Sequence, residues 1–576
     1  MRLSAFLRPF RAWVVAVLVL TFAQVMASLY LPNLMSDIVD TGILHGDAAY
    51  IVRVGGVMLL VALAGGCAAV FASLFASRAM AGFAQRLRLR LFAHVEGFSV
   101  GEFDRYGTSS MIVRTTNDVM QVQQLVNMGL RMLVMAPLTA VGGVVLAVRT
   151  APGLSLLIVV ALPIMGATIY LVMGRGLGLF RAIQTKVDRL NLVLRENLTG
   201  VRVVRAFGRT PHEVRRFADA NLDVTDTSVQ VFQLMATMMP LIMLIMNLTT
   251  VAIVWFGGGQ INAGRLEVGQ LMAFIQYVTQ IMFSVMMVSM MMFMIPRGEA
   301  SAQRILQVLD LRPAIQDPER PASAPEVRAG GRVEFDHVTF RYPGAQDPAL
   351  ADVSFRVEPG QWTAVIGGIG SGKSTLVQLV LRLQDCTEGA VRIDGIDARA
   401  MAQDALRSRI AYVPQRAVLF SGSVLENVRY GDLGADEERV RQALGVAQAA
   451  DFVAALPGGL QGPVQQGGLN LSGGQRQRLA IARAIVRRAE VYLFDESFSA
   501  LDYRTDALLR SALRRELAGA TVIVVSQRIS TVRDADRILV LDDGRLVGDG
   551  RHAELLETCS VYREIVASQL QPEEVA

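Results

Sequence analysis

Residues 470–478 read Asn-Leu-Ser-Gly-Gly-Gln-Arg-Gln-Arg, and they lie between two segments that each indicate phosphate chemistry. Upstream, residues 367–374 read Gly-Gly-Ile-Gly-Ser-Gly-Lys-Ser, which fits a phosphate loop whose glycines let backbone N–H groups close on a triphosphate. Downstream, residues 491–496 read Val-Tyr-Leu-Phe-Asp-Glu, an apolar strand that ends in two acids, the usual place to hold Mg²⁺ and polarise water. The three segments predict a nucleotide-binding α/β domain in the C-terminal half of the chain.

The chain as a whole is apolar. Of its 576 residues, 52% are hydrophobic and 19% are charged, and its mean hydropathy is +0.39. The long uncharged runs all fall before about residue 296, which indicates a membrane domain. The net charge of +5 comes with arginines beside these runs, so the excess of positive charge in cytoplasmic loops explains it and no nucleic-acid partner is expected. The three cysteines are far apart and match neither a disulfide framework nor a metal site.

Six segments are apolar for about the 20 residues that a helix needs to cross a bilayer: roughly 13–34, 54–80, 130–149, 153–173, 232–256 and 268–295. The connections after the second and fourth segments are long and rich in arginine, so we expect them to be cytoplasmic and the short connections to be external. The N-terminus and the C-terminal domain are then cytoplasmic as well. No cleavable signal peptide is evident, because the first apolar run has no clear small-residue cleavage site.

These patterns divide the chain into four parts. We expect a six-span, all-α transmembrane domain with long cytoplasmic helical loops at 1–300, and a connecting helix and linker at 301–332. A soluble α/β domain of the phosphate-loop class follows at 333–566, where apolar strands alternate with helical segments, and a tail occupies 567–576.

The motifs together resemble the ATP-binding cassette (ABC) proteins, because a Leu-Ser-Gly-Gly-Gln sequence between a phosphate loop and an acid-tipped strand is found essentially in that superfamily. With six preceding spans, the chain resembles an exporter-type half-transporter, and in particular one subunit of the heterodimeric bacterial multidrug exporters. The segments 106–119 and 195–207 resemble the cytoplasmic loops that carry coupling helices in that family. The resemblance implies ATP and Mg²⁺ as ligands, the cytoplasmic (inner) membrane as location, and a second half-transporter as partner, with a heterodimer favoured over a homodimer.

The resemblance also assigns roles to residues of the C-terminal domain. Lys373 is expected to contact the β- and γ-phosphates, Tyr342 to stack on adenine, and Glu496 to accept a proton from the attacking water. The signature would complete the site of a second cassette, and Asp502 lies in the loop that contacts the partner. The expected metal ligands are Ser374, Gln415 and Asp495. The expected ATP-binding residues are Tyr342, Gly367, Gly368, Ile369, Gly370, Ser371, Gly372, Lys373, Ser374, Thr375, Gln415, Leu471, Ser472, Gly473, Gly474, Gln475 and Asp502.

One position departs from the family pattern. After the strand 521–525, members of the superfamily usually carry a histidine that contacts the γ-phosphate, whereas this chain has Gln527. An amide donates a hydrogen bond but cannot become positively charged or relay a proton. We therefore expect Gln527 and Glu496 to be the catalytic pair and the chain's own ATP site to be slow, although the retained Glu496 differs from the pattern of degenerate halves.

The last two apolar segments suggest the substrate class. They are dense in methionine, which adapts to apolar ligands of different shape or simply fills helix packing. Gln276, Gln280 and Ser284 recur every four residues, and Asn247 lies in the preceding span. No acid or base lies deep in these segments, so amphipathic small molecules, drugs or lipids are the expected cargo. The alternatives are a homodimeric exporter, an importer built on the exporter fold, and a non-transporting regulatory subunit that binds ATP.

Overall fold

The computed structural model describes residues 2–322 and 330–569. It divides into two compact units: a helical unit, Met1–Glu96 with Ser109–Leu311, and an α/β unit, Gly97–Thr108 with Arg312–Ala576. The predicted linker falls outside the described residues at 323–329, and the predicted tail does so at 570–576.

The N-terminal part of the chain is helical throughout. Its α-helices are α1 (Arg11–Asp37), α2 (Ala48–Val95), α3 (Val100–Tyr106), α4 (Thr108–Val113), α5 (Val119–Thr150), α6 (Ser155–Thr199), α7 (Val201–Ala206), α8 (Thr210–Asn262) and α9 (Val268–Leu309). Short 3₁₀ or π segments precede α1, α2, α5 and α6 at Arg2–Phe10, Ile38–Ile43, Arg114–Asp118 and Pro152–Leu154.

Six stretches of this part are long and apolar enough to cross a membrane, counted over the described residues: Ala5–Ile43, Ala48–Val95, Thr108–Thr150, Pro152–Thr199, Thr210–Asn262 and Val268–Leu309. The predicted six-helix membrane domain is confirmed. The helices are much longer than the apolar segments, because polar extensions continue the same helices beyond the hydrocarbon layer. The extensions of α6 and α8 are joined by an ion pair between Arg216 and Glu196 (2.6 Å), and Lys186 Nζ donates to the carbonyl oxygen of Asp223 (3.3 Å).

Two buried acids hold the helical unit together. Asp118 is fully buried and binds the guanidinium of Arg304 through both carboxylate oxygens, with one Nε–oxygen distance of 2.8 Å. At the other end of α9, Asp40 accepts a hydrogen bond from the backbone N–H of Gly269 (2.6 Å), so it satisfies a free donor of the first turn. Both acids therefore fix the ends of α9 to other helices.

The α/β unit contains twelve strands within residues 330–569. They are β1 (Val333–Phe340), β2 (Leu350–Val357), β3 (Trp362–Gly367), β4 (Glu388–Ile393), β5 (Ile396–Asp397), β6 (Ile410–Val413), β7 (Gly422–Ser423), β8 (Pro463–Val464), β9 (Val491–Asp495), β10 (Thr521–Val525), β11 (Arg537–Asp542) and β12 (Arg545–Gly550). Its helices are α10 (Lys373–Val380), α11 (Gln403–Ser408), α12 (Val424–Arg429), α13 (Glu437–Val446), α14 (Ala450–Ala455), α15 (Gly473–Val486), α16 (Tyr503–Glu516), α17 (Ile529–Val532), α18 (His552–Thr558) and α19 (Ser560–Ala567).

Over the same residues, the strands form three sheets, of which the central one has the order β12-β11-β3-β10-β9-β6. Its strands run parallel except for the antiparallel edge strand β12. A second sheet has the order β2-β1-β4-β5, and β7 pairs with β8. β3, β9 and β10 are buried along their whole length, which explains their uninterrupted apolar sequences. The α/β nucleotide-binding class predicted for this domain is confirmed.

α3 belongs to the α/β unit although it lies early in the chain. Ser99 and Glu102 form a capping box at its start. The second carboxylate oxygen of Glu102 accepts a hydrogen bond from the backbone N–H of Ala314 (3.2 Å). This short helix is thus bonded to the segment that leads into β1.

Candidate nucleotide-binding site

The carboxyl ends of three neighbouring parallel strands bring the predicted site residues together. β10 lies between β3 and β9, and Val525 pairs with Val365 on one side and with Asp495 on the other. The phosphate loop follows β3, Asp495 ends β9 with Glu496 directly after it, and Gln527 lies two residues after β10. Ligands of open α/β sheets bind at this edge.

The phosphate loop has the backbone that its glycines allow. Gly372 has a φ of +94° and caps α10, and a Cβ atom there would lie 2.5 Å from the carbonyl oxygen of Ala349. Any other residue would therefore be strained and would collide with the β1–β2 turn. The remaining loop residues, Gly367, Gly368, Ile369, Gly370 and Ser371, lead into the N-terminus of α10, whose free N–H groups and dipole favour an anion.

Lys373 is the first residue of α10, and its side chain folds back over the loop. Its Nζ atom donates to the carbonyl oxygens of Gly367 (2.9 Å) and Gly368 (2.6 Å). Burial lowers the pKa of Lys373, while Glu496 and Asp495 oppose that shift. The loop thus holds a compact ammonium where a phosphate-binding cation is expected.

Two of the three expected metal ligands are in contact. Ser374 Oγ donates to Asp495 Oδ1 (3.0 Å), and Asp495 is only 4% exposed. Burial raises the pKa of Asp495, whereas the hydrogen bond from Ser374 and the charge of Lys373 lower it. A hydroxyl and a carboxylate oxygen are hard ligands of the kind Mg²⁺ prefers, so the residues fit the ion. Gln415 is exposed two residues after β6, the strand beside β9.

Glu496 is held in an unusual backbone conformation. Its φ is +49°, a region that residues other than glycine rarely adopt and that is concentrated at functional sites. The side chain is 8% exposed, and its Oε1 atom is a buried polar atom with no hydrogen-bond partner among the described residues. Burial raises the pKa of Glu496, and hydrogen bonds from Gln527 counteract this shift. Such an oxygen is available to a ligand or water.

Gln527 lies beside Glu496 at the start of residues 526–529, which we call the switch segment. Its side chain is exposed, and hydrogen bonding by Gln527 opposes the rise in the pKa of Glu496 that burial causes. Next to it, Arg528 Nη2 donates to the carbonyl oxygen of Ser499 (2.9 Å). The position thus presents a neutral amide to the carboxylate.

The expected adenine-binding residue is bonded to the first turn of α10, directly after the phosphate loop. The hydroxyl groups of Tyr342 and Thr375 lie 3.1 Å apart, and the ring of Phe340 packs edge-on against Tyr342 with centroids 4.8 Å apart. The side chain of Tyr342 remains 37% exposed. One part of the ring is therefore free to stack on a base.

The signature forms the start of α15. Ser472 and Gln475 make a reciprocal capping box, in which Ser472 Oγ accepts from the N–H of Gln475 (3.2 Å) and Gln475 Oε1 accepts from the N–H of Ser472 (2.9 Å). Leu471 is buried, whereas Ser472 and Gly473 are exposed and Gly474 is half-buried. Asp502 caps α16 through the N–H of Thr505 (3.0 Å). Over residues 330–569, no hydrogen bond joins the signature to the phosphate loop, so the signature is a separate helix N-terminus, partly exposed at Ser472 and Gly473.

One contact of the switch segment could not be recognised in the sequence. Gln569 lies 42 residues after Gln527, and its amide bonds to the backbone of that segment. A glutamine beyond a C-terminal helix carries no sequence signal for this role, since the pairing depends on how α19 packs.

Comparisons with known proteins agree with this geometry. Residues 14–285 match the family model "ABC transporter transmembrane region", and residues 350–499 match "ABC transporter". The chain is 44% identical to an uncharacterized ABC transporter ATP-binding protein of Mycobacterium tuberculosis, over 98% of this chain and 97% of that protein. It is 32% identical to the ATP-dependent lipid A-core flippase of Xanthomonas oryzae, over 99% of this chain and 96% of the flippase. A bacterial Atm1-family ABC exporter with ATP bound has a TM-score of 0.81 at 28% identity, with 97% of this chain and 98% of that chain covered.

Proposed function

Because the chain belongs to the ABC transporter family, as an exporter of the Atm1 and lipid A flippase type, we propose that it is one half of a dimer that drives amphipathic small molecules, drugs or lipids out across the cytoplasmic membrane. The proposal rests above all on one observation: Lys373, Ser374 and Asp495 meet at one edge of the sheet in a chain with six membrane-spanning helices. We further propose the functional division into 1–300, 301–332, 333–566 and 567–576, with the N-terminus and the α/β unit in the cytoplasm.

Each residue of the site has a chemical task in this proposal. Lys373 and the loop N–H groups would bind the phosphates of ATP, and Ser374, Asp495 and Gln415 would hold Mg²⁺. The ion, when bound, would neutralise charge on the phosphate oxygens. Glu496 accepts a proton from, or orients, the attacking water, because its Oε1 atom has no protein partner among the described residues and its pKa is raised by burial.

We propose a heterodimer with unequal sites. The amide of Gln527 provides a hydrogen bond beside Glu496 but no positive charge, so this chain's own site turns over slowly. The signature is intact, with Ser472 and Gly473 exposed at a helix N-terminus, and it serves the ATP held by the partner. The proposal is therefore supported by two features together: the signature motif is complete, and position 527 carries glutamine in place of the usual histidine.

The transport path is proposed to run along the polar residues of α9. Ser284 is buried, and Gln276 is exposed. Gln280 lies between them, donates to the carbonyl oxygen of Ser28 (3.4 Å) and has an Oε1 atom with no partner in the described part of the chain. These uncharged groups, next to adaptable methionines such as Met282 and Met286, suit a cargo with an apolar body and a polar end.

The test is transport into inverted membrane vesicles that contain the chain with and without a candidate partner. ATP-dependent uptake of a lipophilic fluorescent dye, with stimulation of ATPase activity, is the expected result only for the complex. A homodimer with full ATPase and transport rates would refute the heterodimer. Uptake into right-side-out vesicles instead would indicate an importer, and ATP binding without transport would indicate a regulatory subunit.

A further inference from the structure

The side-chain amide of Gln569 makes two hydrogen bonds to the backbone of the switch segment. Its Nε2 atom donates to the carbonyl oxygen of Gln527 (2.6 Å), and its Oε1 atom accepts from the backbone N–H of Ile529 (2.9 Å). The two partners fix the orientation of the amide, because only one placement of its nitrogen and oxygen satisfies both. The backbone on both sides of Arg528 is thereby held by one side chain.

Gln569 is itself attached to a firm support. Its backbone N–H donates to the carbonyl oxygen of Val566 (3.0 Å). Val566 and Tyr562, on the inner face of α19, are 1% and 0% exposed. The buried inner face of α19 holds this helix in place, so a side chain just beyond its end can fix the backbone of an exposed loop.

The switch segment is also attached, through Arg528, to the loop that follows β9. Arg528 bonds to the carbonyl oxygen of Ser499 (2.9 Å), and Ser499 Oγ bonds to the carbonyl oxygen of Glu496 (2.9 Å). The segment therefore lies between two anchors, which hold the backbone that carries the side chain of Gln527.

We propose that Gln569 is a positioning residue for ATP hydrolysis, which keeps the side chain of Gln527 against Glu496 by clamping the switch backbone. This inference rests on the proposed function, since it requires that the chain's own site hydrolyses ATP. In this role Gln569 would act through the switch segment, to whose backbone its amide bonds.

The test compares ATPase kinetics of the full transporter, with the partner's catalytic acid replaced if the complex is a heterodimer. Loss of two hydrogen bonds in Gln569→Ala is expected to lower kcat about fivefold, with KM for ATP within twofold, because the phosphate loop is untouched. Gln569→Glu is expected to lower kcat at least as much, since it faces the carbonyl oxygen of Gln527 with a carboxylate. Ser568→Ala is the matched control: within the described part of the chain its hydroxyl donates only to the carbonyl oxygen of Ile565 (2.7 Å), and kcat should not change.

Two further measurements distinguish a loss of the positioning of Gln527 from a general loss of structure. In a Gln527→Ala background, Gln569→Ala should have no additional effect on kcat, because the side chain it positions is already gone. Hydrogen exchange of peptides containing Ile529 should be faster in Gln569→Ala and unchanged in Ser568→Ala. An unchanged kcat in Gln569→Ala, or a full fivefold loss in the Gln527→Ala background, would overturn the proposal.

Glu496→Gln distinguishes the two levels of inference. If Glu496→Gln leaves ATP turnover intact, the proposed hydrolysis at this site fails, and the role of Gln569 fails with it. If Glu496→Gln abolishes turnover but Gln569→Ala does not slow it, only the positioning role is refuted.

Discussion

Substitution of Gln527 by histidine is the sharpest test of why this site should be slow. The residue lies next to Glu496, and its backbone is held by Gln569 and flanked by the Arg528–Ser499 bond. The clamp uses the backbone carbonyl of residue 527, so it is unaffected by the change of side chain. Gln527→His therefore adds an imidazole to an otherwise unaltered segment.

The expected gain follows from the charge that an imidazolium adds. A unit charge about 4 Å from an opposite charge contributes about 1 kcal/mol in water and about 4 kcal/mol at an effective dielectric of 20. The side chain at position 527 is exposed, so the lower end applies. A contribution of about 1–1.4 kcal/mol to the transition state corresponds to a gain of about five- to tenfold in kcat.

The assay is steady-state ATP hydrolysis by this chain's site in the purified transporter, at pH 6 and pH 8. The gain should be larger at pH 6, because histidine is protonated there to a greater extent. Gln527→Asn is the control, since it keeps an amide and should give no gain. Equal rates for Gln527→His and the unmodified protein at both pH values would refute the view that the missing charge limits this site.

Three other perturbations have defined outcomes. Lys373→Arg should weaken ATP binding at least about tenfold in a fluorescent-nucleotide titration. The reason is that a guanidinium is too wide for the buried site in which the ammonium of Lys373 donates to two carbonyl oxygens. Equal affinity of the two proteins would contradict this. Asp118→Asn should lower the free energy of unfolding by about 2 kcal/mol, seen as a lower thermal midpoint, because it leaves the charge of Arg304 without its buried carboxylate; an unchanged midpoint would count against it. Burial lowers the pKa of His552, which lies 2.7 Å from the hydroxyl of Tyr562. Its contribution to the stability of α18 and α19 is therefore present above the histidine's ordinary pKa and is lost as the pH falls through the lowered one. Smaller hydrogen-exchange protection factors for these helices at pH 5 than at pH 7, after correction for the intrinsic exchange rates, would check this; equal protection factors would contradict it.

Much of the site could be predicted because its motifs are local. A phosphate loop needs its glycines, lysine and serine at fixed spacing, and an acid-tipped strand carries its own apolar pattern, so Lys373, Ser374 and Asp495 are recognisable without a fold. The structure adds their mutual contact, which depends on β3 and β9 lying on either side of β10. The clamp of Gln569 on Gln527 depends on tertiary packing and has no local signal.

In the membrane domain, too, local features could be predicted from the sequence and tertiary contacts could not. Apolar runs identified the six spans, since the requirement for about 20 apolar residues is strong. The pair of Asp118 with Arg304, 186 residues apart, could not be predicted, because either charge alone fits a solvated surface. The start of α3 was predictable in principle from Ser99 and Glu102, which have the spacing of a capping box.

The length of α8 has a mechanical consequence. Its 53 residues extend for about 80 Å, of which the hydrocarbon layer accounts for about 30 Å. The roughly 22 residues from Thr210 to the start of the apolar span near residue 232 form a rod about 30 Å long, braced against α6 by the Arg216–Glu196 pair. A tilt of about 5° within the bilayer moves the far end of such a rod by about 3 Å, roughly the length of one hydrogen bond. A rotation that hardly changes the packing of the membrane spans is thus large enough to make or break contacts at the Thr210 end of α8.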